Sequence, residues 1–310
     1  MKKRFHILIV IGLLIIGFII GSIFDLQINE AIFSDQNAFS LIMASFGVYP
    51  CYAGLAFVAG GILQTTLRRK ELPTWGKIIC YVVSACTYAA SVFLAARELP
   101  STNGFSNEKL TILSYAIAAV VFAGAYVGGF LVCRKGDAKQ LWFILFAMGF
   151  IAIFLLPGGY FIKLVIHRPR FRLFKQDAEI PFLNWWETYD YKTFLANHPD
   201  HVYENGLILT KEEFKSFPSG HAGTGIIMAM FLPFMAYFFP KLKGKEVMLF
   251  YIGFGYGLLM MFSRLLCGAH YLSDTCMGAL LVAIAYYIIN EIAYRMGLFN
   301  DPKPQEVEQE

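Results

Sequence analysis

The sequence has few charged residues for its length. Of its 310 residues, 15% are Asp, Glu, Lys or Arg, whereas soluble domains carry about 25%. Hydrophobic residues make up 57%, and the mean hydropathy is +0.55. This composition argues against an ordinary soluble protein and favours one that lies within a bilayer.

Cysteines are also few, and their positions argue against a secreted disulfide framework. Six are present. Four of them lie within or at the ends of apolar runs: Cys80, Cys86, Cys133 and Cys276. Thiols in such surroundings behave as small hydrophobic side chains. The net charge of +4 is modest, so the placement of the basic residues is more informative than their sum.

Long apolar runs, in contrast, occur throughout the chain. A helix needs roughly 20 apolar residues to cross about 30 Å of hydrocarbon. Runs of this length lie at about 5–24, 40–64, 78–97, 111–133, 141–166, 222–240, 247–265 and 274–296. The first lacks a clear small-residue cleavage site, so we interpret it as a retained helix rather than a signal peptide. The sequence therefore predicts an all-α, polytopic membrane helix bundle with about eight transmembrane helices.

The basic residues alternate between loops and so predict the orientation. Clusters on one predicted side are Met1–Arg4, Arg68–Lys70 with Lys77, Arg134–Lys139 and Lys241–Lys245. The alternate loops, 25–39 and 98–110, are mainly acidic. Because cytoplasmic loops carry the excess of Lys and Arg, both termini are predicted to be cytoplasmic. The loops after the fifth and seventh segments then face outward.

One of these outward loops is long and polar. Residues 167–217 form an insertion that contains Trp185, Trp186, Tyr189 and Tyr191. Two interpretations stay open: a surface loop with its aromatic residues at the lipid interface, or a lid over a site. The tail 301–310 is predicted to be disordered and solvated.

Charged groups near hydrocarbon are costly, and here they occur in three short stretches at one predicted membrane face. The first is "KLVIHRPR", in which Lys163 and Arg170 are two helical turns apart. Cations that reach from a helix end towards the interface would be an alternative explanation.

The second stretch is "KSFPSGHAG", which runs into an apolar segment. Ser219 is a candidate helix cap, and Gly220 permits close approach of the backbone. Free amides at a helix start form an anion site. His221 adds a group that exchanges a proton near pH 7, which capping alone does not explain.

The third stretch is "SRLLCGAHYLSD". His270 and Asp274 are four residues apart, so on a helix Asp274 can accept the proton of one ring nitrogen and leave the other free to act. Arg264 supplies a forked donor suited to phosphate oxygens. A structural His–Asp pair or a His/Asp metal site would be alternatives, although no third ligand at suitable spacing is evident.

Together the three stretches indicate phosphoryl transfer through a phosphohistidine. Lys163, Arg170 and Arg264 would neutralise an anion of about two charges. One histidine would attack, and the other would protonate the leaving oxygen.

These residues resemble the three motifs of the type 2 phosphatidic acid phosphatase (PAP2) superfamily: Lys-x6-Arg-Pro, Pro-Ser-Gly-His and Ser-Arg-x5-His-x3-Asp. The second motif is complete at Pro218–His221, and the third is complete from Ser263 to Asp274. The first matches as Lys163 and Arg170, but Phe171 replaces the proline.

Another alignment of the first motif would use Arg168 and Pro169, which leaves only four residues after Lys163. We prefer Arg170, because the Lys–Arg spacing should matter more to phosphate geometry than the proline does.

The resemblance covers about residues 80–296 and implies a six-helix catalytic core, formed by predicted segments three to eight. We therefore expect an N-terminal helix pair at 1–77, a catalytic core at 78–300 with the insertion at 171–216, and the tail at 301–310. The resemblance implies His270 as nucleophile, Asp274 as the group that orients it, and His221 as acid. It implies these phosphate-binding residues: Lys163, Arg170, Ser219, Gly220 and Arg264. Family members generally need no metal, and we expect no cofactor.

The function expected from this resemblance is that of an integral-membrane phosphatase acting on a lipid phosphate or diphosphate at the extracytoplasmic face. The substrate would be of the undecaprenyl diphosphate, phosphatidate or phosphatidylglycerophosphate type. We expect contact with the bilayer of a bacterial cell and none with nucleic acid; the oligomeric state stays open. Alternatives are a lipid phosphotransferase that uses the same histidines, and a non-catalytic anion-binding or transport protein.

Overall fold

The computed structural model describes residues 2–35, 37–102, 108–135, 142–143, 145–147 and 161–296. Over these residues the protein is helical, with one isolated antiparallel bridge in place of a sheet. The α-helices are α1 (Lys2–Ile32), α2 (Ala38–Phe46), α3 (Tyr49–Arg68), α4 (Thr74–Thr102), α5 (Glu108–Val132), α6 (Phe171–Gln176), α7 (Tyr191–Asn197), α8 (Gly220–Ile226), α9 (Met228–Phe238), α10 (Glu246–Leu266) and α11 (Leu272–Arg295). The predicted all-α class is confirmed.

Seven of the eight predicted transmembrane segments are present as helices long and apolar enough to cross a membrane. These spans are Arg4–Ile32, Ala38–Arg68, Thr74–Glu98, Ile112–Val132, Gly220–Phe238, Glu246–Leu266 and Leu272–Arg295. The remaining predicted segment, 141–166, lies mostly outside the described residues, as does the tail 301–310. The protein is therefore a polytopic helical membrane protein, while its division into an N-terminal pair and a catalytic core stays a prediction.

Helix α1 packs closely along α11 through small residues. Gly17 and Gly21 face α11, and a Cβ atom at Gly21 would overlap the backbone nitrogen of Ser273. Small residues let membrane helices approach this closely. Because positions four apart share a helix face, the same face continues to Asp25 and Asn29, which are both buried. Helix α1 thus directs two polar side chains at the start of α11.

The insertion folds around an apolar cluster of its own. The buried members of the cluster are Leu173, Ile180, Phe194, Tyr203, Leu209 and Phe214. Trp185 stacks on Phe217, and its indole N–H donates to Ser22 Oγ at 2.9 Å. Trp186, in contrast, is 56% exposed. The segment is therefore an ordered cap against α1, and only some of its aromatic side chains face outward.

Candidate active site

The turn before α8 has the geometry of a capped helix start, as the sequence predicts. Ser219 is extended, and its Oγ accepts a hydrogen bond from the N–H of Ala222 at 3.3 Å. The N–H of Ser219 donates to the carbonyl of Asp274 at 2.9 Å. A Cβ atom at Gly278 would overlap the Ser219 carbonyl. The turn that carries His221 is therefore held directly against α11.

His270 lies in the turn between α10 and α11, after Gly268, whose φ of 62° favours glycine. The Nδ1 atom of His270 is 2.6 Å from the carbonyl oxygen of Ser216. Because a carbonyl only accepts hydrogen bonds, Nδ1 carries the proton and Nε2 keeps its lone pair. Oδ2 of Asp274 faces the same Nδ1 at 3.8 Å, which is too long for a hydrogen bond. The direct partner of the ring is thus a backbone carbonyl, and the hydroxyl of Ser216 donates to Asp274 Oδ2 at 2.5 Å.

The imidazole of His270 is held in its neutral form. Its side chain is 3% exposed, and this burial lowers its pKa to about 3; the charges of Lys163 and Arg170 act in the same direction. A neutral ring with an unprotonated Nε2 is the form of histidine that can attack phosphorus.

Arg168 is fully committed to contacts within the protein. Its Nη1 donates to Asp274 Oδ1 at 2.6 Å, its Nη2 to Asp25 Oδ2 at 2.9 Å, and its Nε to the carbonyl of Leu183 at 2.8 Å. Burial by itself would lower the pKa of Arg168, but the charges of Asp274 and Asp25 raise it. Arg168 therefore holds Asp274 in place and joins it to α1.

Arg170 has a different environment. Its Nη1 lies 3.6 Å from Glu213 Oε1, and its buried Nε has no hydrogen-bond partner among the residues described. Glu213 is fixed by two bonds from Arg172, at 2.8 and 2.5 Å. Burial by itself would raise the pKa of Glu213, but the charges of Arg172 and Arg170 hold it below its ordinary value. The insertion thus anchors Arg170 through Glu213 and leaves one of its donors for an anion.

A cavity of about 450 Å³ lies beside the turn 218–221. Polar side chains in its lining are those of Arg97, Glu98, Lys163, Lys211, Glu212, Lys215 and His221, and apolar ones include Val48, Leu55, Leu94, Ile227 and Leu281. Ser219 and Gly220 also line it. The cavity therefore offers polar and apolar surfaces to the same ligand.

The remaining predicted site residues are not among those that line this cavity. Arg264, His270 and Asp274 are buried, and Arg170 is half-buried. His270 interacts electrostatically with Lys163 and Arg170, and His221 with Arg264 and His270. The structure thus brings both histidines and all three predicted cations into one cluster.

Several groups that hold this cluster come from the N-terminal helices and were missed by sequence reasoning. Arg264 Nη2 donates to the carbonyl of Ser40 at 2.8 Å, and Asn29 Nδ2 donates to the carbonyl of His270 at 3.1 Å. Asp25 and Asn29 could have been noticed as polar residues spaced by four in an apolar run. The Ser40 carbonyl carries no signal in the sequence.

The fold and site define an integral-membrane helix bundle with two histidines, three cations and a carboxylate gathered at one face. The chain belongs to the PAP2 superfamily, whose family model matches residues 140–296. That family generally comprises phosphatases, and the match includes all three motif stretches. No curated protein and no solved structure matches the chain significantly.

Proposed function

We propose that this protein hydrolyses a lipid phosphate or diphosphate through a phosphohistidine formed on His270. The observation that carries the proposal is the state of His270. Its Nδ1–H is bound to the Ser216 carbonyl, its ring is neutral, and Lys163 and Arg170 lie within electrostatic range. A buried neutral nucleophile beside cations suits attack on an anionic phosphorus centre.

In the first step Nε2 of His270 attacks phosphorus, and the bond from phosphorus to the leaving oxygen breaks. His221 gives a proton to that oxygen. Lys163, Arg170 and Arg264 offset the negative charge on the phosphoryl oxygens, with the backbone of Ser219 and Gly220. Water then attacks the phosphohistidine, which releases phosphate and restores the neutral ring.

The cavity supports an amphipathic substrate. Its lining includes the polar side chains of Lys163 and His221, and also Leu55, Leu94 and Leu281, whose apolar surface suits a hydrocarbon tail. Undecaprenyl diphosphate, phosphatidate and phosphatidylglycerophosphate all combine a phosphate with such a tail.

The active site is proposed to face the extracytoplasmic side of a bacterial cell membrane, with both termini in the cytoplasm. His221 follows the first residue of the span Gly220–Phe238, and His270 lies between the spans Glu246–Leu266 and Leu272–Arg295. Both histidines are therefore at the same face. The loops at the opposite face carry most of the basic clusters, which is the cytoplasmic pattern.

The test is a substrate panel on purified protein in detergent. Each of the three lipids is supplied with a labelled phosphate, and both free phosphate and alkali-stable label on the protein are measured. The proposal expects phosphate release from at least one lipid and label that requires His270. Label transferred to another lipid or a sugar would identify a phosphotransferase. Binding without turnover of any of the three lipids would contradict the proposal.

A further inference from the structure

The proposed acid His221 contacts two groups that lie outside the region matched by the family. Its Nε2 is 3.3 Å from the carbonyl oxygen of Ala44 and 3.7 Å from Oε2 of Glu98. Ala44 belongs to α2 and Glu98 to α4, and both precede residue 140. The side chains of Glu98 and His221 are 16% and 22% exposed, and both line the cavity.

This arrangement engages one ring nitrogen and leaves the other for the substrate. The Ala44 carbonyl can only accept a hydrogen bond, so Nε2 of His221 carries a proton. Nδ1 is then the nitrogen that can give a proton to a leaving oxygen. To do so, the ring must first hold two protons and a positive charge.

Burial opposes this charged form most strongly, and the charges around His221 also affect how easily it exists. Arg264, Arg170 and His270 all interact electrostatically with His221. The positive charges of the two arginines repel a charged His221 ring. Glu98 supplies a carboxylate at ion-pair distance, and it interacts with the same two arginines. A nearby anion favours the charged form of an imidazole and fixes its orientation.

We propose that Glu98 positions His221 and stabilises its proton-donating form. This inference rests on the proposed function, since it takes His221 to be the acid. When His270 Nε2 bonds to phosphorus and the P–O bond breaks, the leaving oxygen takes the Nδ1 proton of His221. The ring becomes neutral and keeps its Nε2 proton towards Ala44 and Glu98. Glu98 touches no reacting atom and is therefore a positioning residue.

The test compares two leaving groups. Dodecyl phosphate releases an alkoxide that needs a proton, whereas p-nitrophenyl phosphate releases a stable phenolate that does not. Glu98→Gln should lower kcat for dodecyl phosphate about 10- to 100-fold, but change KM and the rate with p-nitrophenyl phosphate less than about threefold. Glu98→Asp keeps the carboxylate and should recover part of the loss. Glu30→Gln, an exposed carboxylate on α1, is the matched control and should leave both rates unchanged.

The double variant with His221→Ala adds a second readout. Glu98→Gln should cause no further loss in that background, because its effect acts through the imidazole. Equal losses with both substrates, an Asp variant no better than the Gln variant, or wild-type turnover of dodecyl phosphate by Glu98→Gln would each overturn the inference. The proposed function fails separately, if His270→Ala retains turnover of both substrates.

Discussion

Residues 140–296, which match the family, and the residues before them contribute different kinds of group to the candidate site. The matched part contributes the side chains of the proposed mechanism: His221, His270, Asp274 and the cations Lys163, Arg170 and Arg264, which are proposed to bind phosphate. The N-terminal part contributes partners to these groups and to the supporting Arg168: Asp25 to Arg168, Asn29 to the His270 carbonyl, the Ser40 carbonyl to Arg264, and the Ala44 carbonyl and Glu98 to His221.

This difference shows how the N-terminal helices relate to the catalytic motifs. The motifs supply groups suited to phosphoryl transfer, whereas α1, α2 and α4 supply hydrogen-bond acceptors, one amide donor and carboxylates that fix the orientation and charge of those groups. Catalysis depends on such positioning as much as on the identity of the reacting groups. Variants in the two parts should therefore fail in different ways.

The largest effect is expected at the nucleophile in the matched part. His270→Ala removes the only protein atom that bonds to phosphorus in the proposed mechanism, so turnover of the active lipid should fall by at least about 1,000-fold. His201→Ala, at an exposed histidine of the insertion, should retain wild-type activity. Phosphate release measures both. Full activity of His270→Ala would rule out the phosphohistidine mechanism.

The next effect is expected at Arg168, which joins the two parts. Arg168→Gln leaves Asp25 and Asp274 buried without their cation, so the free energy of unfolding should fall by about 3 kcal/mol or more. Unfolding in detergent, followed by circular dichroism, measures this change. Arg295→Gln, whose side chain is 78% exposed, should stay within about 0.5 kcal/mol of wild type.

A double variant sharpens this prediction. Asp25→Asn in the Arg168→Gln background removes one of the two facing carboxylates and should restore part of the lost stability. Strictly additive losses would show that Asp25 and Arg168 are not coupled.

A smaller effect is expected at a contact within the matched part, where Gly278 on α11 packs against Ser219. Gly278→Ala places a Cβ atom against the Ser219 carbonyl and so displaces the turn that carries His221. A shift of about 1 Å at a site can cost up to about 100-fold in rate, and we expect a 10- to 100-fold loss in kcat/KM. Gly255→Ala on α10, where a Cβ atom meets nothing within 4 Å, is the control. Equal activity of the two variants would contradict the tight contact.

The smallest effect is expected from pH. Burial lowers the pKa of His270 to about 3, so the ring stays neutral as the pH falls from 7 to 5. Phosphoenzyme formation at saturating p-nitrophenyl phosphate, trapped in alkali, should therefore change less than about threefold over this range. A histidine with the ordinary pKa of about 6.5 would be almost fully protonated at pH 5. A roughly thirtyfold loss would show that His270 is not held neutral.

Much of the fold could be predicted from the sequence. A bilayer offers no hydrogen-bond partners to the backbone, so each long apolar run must form a helix, and seven of the eight predicted segments are present. The packing of α1 on α11 could not be predicted, because Gly17 and Gly21 read equally well as ordinary apolar positions. The cluster inside the insertion escaped prediction as well, since its aromatic residues suit both an interface and a core.

The candidate residues of the site could also be found from spacing, and the structure brings Lys163, His221 and His270 into one cluster. Their partners could not be found in that way. The two alignments of the first motif, through Arg168 or through Arg170, differ in which guanidinium contacts Asp25 and Asp274. Spacing within the motif does not show this contact, because Asp25 lies 143 positions from Arg168.

The sequence by itself determined that this chain spans a membrane, which residues are candidates for its chemistry and to which family they belong. Apolar runs and motif spacings are local properties, and they can be read without knowing how the helices pack. Only the tertiary structure decided that Arg168 holds Asp274, that Ser216 rather than Asp274 directly orients His270, and that Glu98 meets His221. These contacts involve backbone carbonyls, which every residue has and which therefore leave no pattern in the sequence. They also join residues that are far apart in the chain.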